Sequence, residues 1–229
     1  MKTVMLALAC ALALSSTAHC AESLVLSGTE WSRSASYSYV GALTPLGGGS
    51  LGDGWMLRQW LDRLTYQYRG ATSEISAEGY GFSPALGRQL PLGNSHVGIY
   101  GALRVAHTSL HPDDLSNADR GTRARFSIQA DAMTPIAGWA ENQLIAQAEL
   151  GNGGYFARER LLLRAPGRLS IGPEVVFKGN TKYSARQFGV AFGGLALGKY
   201  VALTLRGGVS DQRGQSTVGY GSVELALTH

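Results

Sequence analysis

Only two cysteines occur, Cys10 and Cys20, both close to the start of the chain, so a disulfide framework in the remaining sequence is excluded. Charge is also scarce. Only 16% of the 229 residues are charged, and the basic ones are dispersed, which argues against a nucleic-acid surface. Beyond Leu14 no apolar run reaches the roughly 18 to 20 residues that a membrane-spanning helix requires. Entry into a membrane would therefore require a closed β-barrel, the other structure that satisfies every backbone polar group inside lipid. The five histidines form no cluster with ligand spacing, so neither a metal nor a cofactor is expected.

Lys2, the apolar stretch 4–14 and the small residues of 15–21 read as a secretory signal. Cleavage after Cys20 and after Ala21 both remain open. Lipid attachment at Cys20 fits poorly, because Thr17 and His19 occupy positions that want an apolar and a small residue. Residues 22–229 are then one domain, rich in hydrophobic side chains (45% of the chain) and in glycine (31 residues).

Their dominant pattern is alternation. In 122–132, Ala124, Phe126, Ile128 and Ala130 interleave with Arg123, Arg125, Ser127, Gln129 and Asp131. A strand sends these two sets to opposite faces, whereas a helix would scatter the charges around its circumference. The same period runs through 168–178, 200–209 and 96–107, and more weakly through 24–31, 37–45, 55–68, 75–87, 139–150, 155–164, 185–194 and 217–228. The expectation is an all-β fold, a transmembrane up-and-down antiparallel β-barrel of about twelve strands, with ten as the fallback. Gly79, Gly81 and Gly87 opposite Tyr80, Phe82, Pro84 and Leu86 suit a barrel with a crowded lumen. A soluble sandwich could show similar alternation, but the signal segment and the low charge favour the outer membrane. With both chain ends on the periplasmic side, the long linker after His107 falls outside, and 165–167 and 134–138 become periplasmic turns. The glycine-rich stretch 46–53 fits that scheme badly, being long for a periplasmic connection.

Gly41-Ala42, Pro45-Leu46, Gly52-Asp53-Gly54-Trp55 and Leu57-Arg58 resemble the cellulose biosynthesis protein BcsS family. Gly172-Pro173-Glu174, Gly179-Asn180, Tyr183, Arg186 and Gly189 follow at that family's spacing, and Pro112-Asp113 with Gly121 is similar to its central segment. The resemblance spans most of the sequence after the signal. It implies an outer-membrane barrel associated with bacterial cellulose production, and it carries over no catalytic residue.

Parity places Arg104, Arg123, Arg125, Asp131, Arg158, Arg160, Glu174 and Lys178 on the inner face, where a narrow lumen must pair its charges. Glu174 stands out, since Pro173 beside it cannot donate to a strand ladder. Tyr100 and Tyr200 are also placed inside, and no row of inward aromatics is evident. Trp31, Trp55, Tyr68, Trp139, Tyr155 and Tyr183 suit membrane-interface positions. The expected partners are outer-membrane lipid and components of cellulose synthesis or export, or the glucan itself.

Two rivals stand beside this non-catalytic accessory. A small passive porin would need an open lumen. A lipid hydrolase at the rim would use His107 and Ser109, two residues apart and therefore on one outward face, with His as base toward Ser. No motif supplies an acid to orient that histidine.

Overall fold

The computed structural model describes residues 22–70, 73–117, 119–151, 153–166, 169–181, 183–213 and 216–229, so the expected signal segment lies outside the described residues. Twelve strands follow one another: β1 (Leu24–Ser32), β2 (Ala35–Ser50), β3 (Asp53–Arg69), β4 (Glu74–Leu92), β5 (Ser95–His111), β6 (Gly121–Ala137), β7 (Ala140–Glu149), β8 (Tyr155–Arg164), β9 (Ser170–Gly179), β10 (Ser184–Ala196), β11 (Val201–Gln212) and β12 (Val218–Thr228). Each is antiparallel to its chain neighbours, and β1 pairs with β12 from Leu24↔Thr228 to Ser32↔Tyr220, which closes the sheet and removes its edges.

Alternation sets the two faces of the wall. Along β4, Ile75, Ala77, Gly79, Gly81, Ser83, Ala85, Gly87 and Gln89 are buried inward, while Tyr80, Phe82 and Leu86 are exposed outward. Outward side chains such as Ile99, Leu103, Phe126, Ile128, Phe188 and Val190 form an apolar exterior that in water would be a costly exposed surface and in a bilayer is solvated by lipid tails. The expected girdle is only partly realised. Trp31, Trp55, Trp139 and Tyr155 are exposed. Tyr68 instead points inward and stacks on Tyr66, Tyr183 sits half-buried in the β9–β10 turn, and Tyr200 lies exposed in the β10–β11 turn rather than in the lumen.

Both described chain ends lie at one end of the barrel, where Ser23 N–H donates to His229 O at 2.7 Å. Turns at that end are short: 51–52, 93–94 and 138–139. The longest connection, 112–120, is at the opposite end, as outer-membrane barrels arrange it. The glycine-rich segment that fits this scheme badly as a linker is a strand. β2 runs on to Ser50 and turns in two residues, with Gly47 and Gly48 at positive φ (64° and 82°) absorbing an irregularity between Leu46 and Ser50. Residues 134–137 likewise belong to β6, leaving a tighter turn than the sequence suggests.

Candidate functional site: a cross-linked lumen and its cap

Inward glycines lie beside large inward side chains, and this lets the lumen fill. The Tyr100 ring covers Gly87 and Gly98, and Trp60 covers Gly41, so that a Cβ added at any of the three would collide with the ring beside it. Tyr39 and Trp60 stack with centroids 4.7 Å apart, and Tyr37 lies 5.7 Å from Tyr39. An inward aromatic row therefore exists, contrary to the sequence reading. Its signal is Tyr37, Tyr39 and Trp60 on adjacent strands, and it becomes visible only once the β2–β3 register aligns Tyr39 with Asp62 and Gly41 with Trp60.

Glu174 lies at the centre of a charge network. It is 1% exposed and pairs directly across the β8–β9 ladder with Arg160, whose Nε donates to its carboxylate. Pro173 has no N–H, and the β8–β9 pairing skips from Arg160↔Glu174 to Leu163↔Ile171 at this point. On the other side, Glu174 is in register with Gly189, Gly189 with Gly208, and Gly208 with Tyr220. Two side-chain-free positions let Arg206 Nη1 (2.9 Å) and the Tyr220 hydroxyl (3.4 Å) reach the same carboxylate oxygen of Glu174.

Glu224 and Glu30 extend the network across the lumen. Glu224 on β12 accepts from Arg158 (3.1 Å) and Arg160 (2.6 Å) of β8, four strands away, and from the Tyr39 hydroxyl (2.7 Å). Glu30 on β1 accepts from Lys178 of β9 (2.5 Å) and from Gln187 of β10 (2.9 Å), with Arg206 at 3.4 Å. Four cations thus enclose three carboxylates, and the bonds tie walls that are not neighbours in the sheet. For side chains as buried as Glu174, Arg160 and Arg206 an unpaired charge is costly, which is the physical reason each meets an opposite charge.

The remaining inward candidates sit elsewhere. Arg104 donates to Asp62 at 2.6 Å, and Asp131 faces Tyr100, Gln129 and Arg58. Arg123 is exposed at the loop end of β6. Arg125 reaches into the 112–120 connection, pairing with Asp119 at 2.5 Å. That connection bridges the mouth: Tyr68 of β3 donates to Asp114 (2.8 Å) and accepts from Asn117 (2.9 Å), while Asn180 of the β9–β10 turn reaches Asp119 at 3.3 Å. Within it, two hydrogen bonds from Arg120 hold the Asp113 carboxyl below the usual carboxylate range. Of the motif residues, Gly172 permits close approach of β8, since an added Cβ would lie 1.7 Å from Leu161 O. Asn180 Oδ1 accepts from the Tyr183 N–H at 2.9 Å, and Arg186 points outward, away from the lumen.

A cavity of about 510 Å³ opens at the end that carries the chain ends, lined by Glu141, Gln143, Arg160, Arg164, Ser170 and Thr204 among others. Arg160 of the network is one of its lining residues.

A closed twelve-stranded barrel with an apolar exterior and a polar interior defines an outer-membrane β-barrel protein. Solved structures that it resembles include KdgM porin (TM-score 0.57, 10% identity, 90% of this chain and 99% of that one) and an outer membrane channel from Pseudomonas putida F1 (TM-score 0.59, 12% identity, 91% and 94%). The translocator domain of the autotransporter NalP from Neisseria meningitidis also matches (TM-score 0.52, 12% identity, 99% and 95%). Residues 24–229 match the family of cellulose biosynthesis protein BcsS, and the chain belongs to that family. A comparison with curated proteins finds no match.

Proposed function

We propose that this barrel serves cellulose production or export as a closed accessory of the outer membrane, in a role there that is non-catalytic. The observation that supports this most is the cross-lumen network: Arg158 and Arg160 meet Glu224, and Lys178 meets Glu30, from walls four strands apart. A glucan conduit needs an unbroken water-filled path, and these pairs cross it, with the 112–120 connection bonded to the walls at the mouth. The role then falls to the barrel's rims and outer wall, in contact with lipid and with components of the synthesis or export machinery.

A second reading, a saccharide porin, draws on the 510 Å³ cavity and on the fold likeness to KdgM porin, which has also been solved in complex with disordered oligogalacturonate. It requires the network to part. Two measurements separate the readings. Deletion of the gene should lower secreted cellulose, restorably by the wild-type copy, and the purified protein in planar bilayers should show no steady conductance. Unchanged cellulose in secreted and cell-retained fractions would remove the accessory role, and a stable open channel would favour the porin.

A further inference from the structure

Outside the lumen, the outer wall brings a nucleophile, a base and an orienting hydroxyl together at the upper limit of the apolar band. Leu61, Phe82, Val105 and Ala124 form one outward row across β3, β4, β5 and β6. One step toward the loop end the next row is Arg63, Tyr80, His107 and Thr122, followed by Thr65, Glu78 and Ser109. The change from hydrocarbon to polar side chains within a single step puts these groups at head-group depth, the level of phosphates and acyl esters.

The local contacts line up a serine, a histidine and a threonine hydroxyl. His107 Nδ1 lies 2.9 Å from Thr122 Oγ1, and Ser109 Oγ lies 3.4 Å from His107 Nε2. With Nδ1–H donating to the threonine, the Nε2 lone pair faces the serine hydroxyl. The separation of 3.4 Å is on the loose side, as such bonds are before substrate closes on them. Beside the pair, Arg63 holds Glu78 at 2.7 Å, and Tyr80 donates to the same carboxylate at 2.5 Å. Half of the Arg63 side chain stays exposed, two strand spacings (about 10 Å) from β5. A guanidinium at that distance suits a lipid phosphate whose ester carbonyl rests on Ser109.

We propose that Ser109 and His107 form an esterase site for acyl esters of membrane lipid, with Thr122 as a positioning residue and Arg63 as the phosphate contact. Ser109 Oγ bonds to the ester carbonyl carbon as its proton passes to His107 Nε2. The C–O bond to the lipid alcohol breaks, and the departing alkoxide takes that proton. Water, deprotonated by His107, then attacks the acyl-serine, releasing a fatty acid and regenerating the serine. Two lipid sources carry this ester chemistry, glycerophospholipid and the acylated sugar of lipopolysaccharide. The site is independent of the cellulose role.

The test uses the full-length barrel purified in detergent. A fluorophosphonate probe should label Ser109, and Ser109→Ala should abolish labelling. His107→Gln should slow it about 100-fold, and Thr122→Val should slow it less while shifting its pH profile. Ser38→Ala, an outward hydroxyl on β2, should label like wild type. Phosphatidylethanolamine vesicles and lipopolysaccharide, assayed separately for released fatty acid, identify the source. All variants must keep the heat-modifiable gel mobility of a folded barrel. Absence of labelling in folded wild-type protein, or labelling that survives Ser109→Ala, would overturn the proposal, as would fatty-acid release from neither lipid.

Discussion

Replacing Glu174 with alanine withdraws one carboxylate from a set of three that holds four cations. Arg160 and Arg206, each almost fully buried, lose a partner they reach directly, and the lumen keeps both charges. Leaving a buried charge uncompensated costs about 3–5 kcal/mol, whereas loss of a solvated pair costs about 0–1 kcal/mol. Glu224 remains within reach of both arginines, at 2.6 Å and 3.6 Å, so the expectation lies at the lower end, about 3 kcal/mol. Urea unfolding of the barrel refolded into lipid vesicles, followed by tryptophan emission, measures it. Glu174→Gln keeps an acceptor for Arg206 and should lose less. A loss below about 1 kcal/mol for Glu174→Ala would mean that water reaches these arginines, and the closed-lumen argument would fail with it.

Gly172→Ala drives a Cβ to within 1.7 Å of the Leu161 carbonyl, a backbone atom with no rotamer to escape into, so the strands must part. A destabilisation of at least about 2 kcal/mol in the same unfolding assay is expected, and wild-type stability would show that β8 can move away freely. Tyr68→Phe deletes the hydroxyl that joins Asp114 and Asn117 to β3 while keeping the stack on Tyr66. Limited proteolysis should then cut within 112–120 faster than in wild type; an unchanged rate would mean that Arg125 and Asn180 alone hold the connection over the mouth. Lys178→Met frees Glu30 from its cross-lumen lysine, leaving Gln187 and Arg206, and should cost less than Glu174→Ala because the Lys178 side chain is partly exposed. Equal losses in the two variants would contradict the burial gradient along β9.

Strand period was legible because a side chain's face depends only on its position in the alternation, and the apolar set of a membrane barrel must face lipid. The twelve strands, their closure, the outside position of the longest connection (though β5 runs on to His111 before it begins) and the inward parity of Glu174, Arg160 and Lys178 all follow from that local rule together with the habit of outer-membrane barrels. Two features escaped it. Glycine content made 46–53 resemble a linker, when two positive-φ glycines let β2 continue to a tight turn. The position of Tyr68 near a strand end suggests the membrane interface, although its parity, shared with Asp62 and Arg58, is inward.

Which inward charge meets which is set by register and by curvature of the closed wall, and neither is encoded in any one strand. Glu224 meets Arg158 and Arg160 from four strands away only because the sheet closes on itself, and Glu174 gathers Tyr220 and Arg206 only because Gly189 and Gly208 lie between them in register. The amino-acid sequence by itself determined the faces, since these are a property of each residue's neighbours. The tertiary structure decided the contacts across the lumen, because they depend on where distant strands are brought together in space.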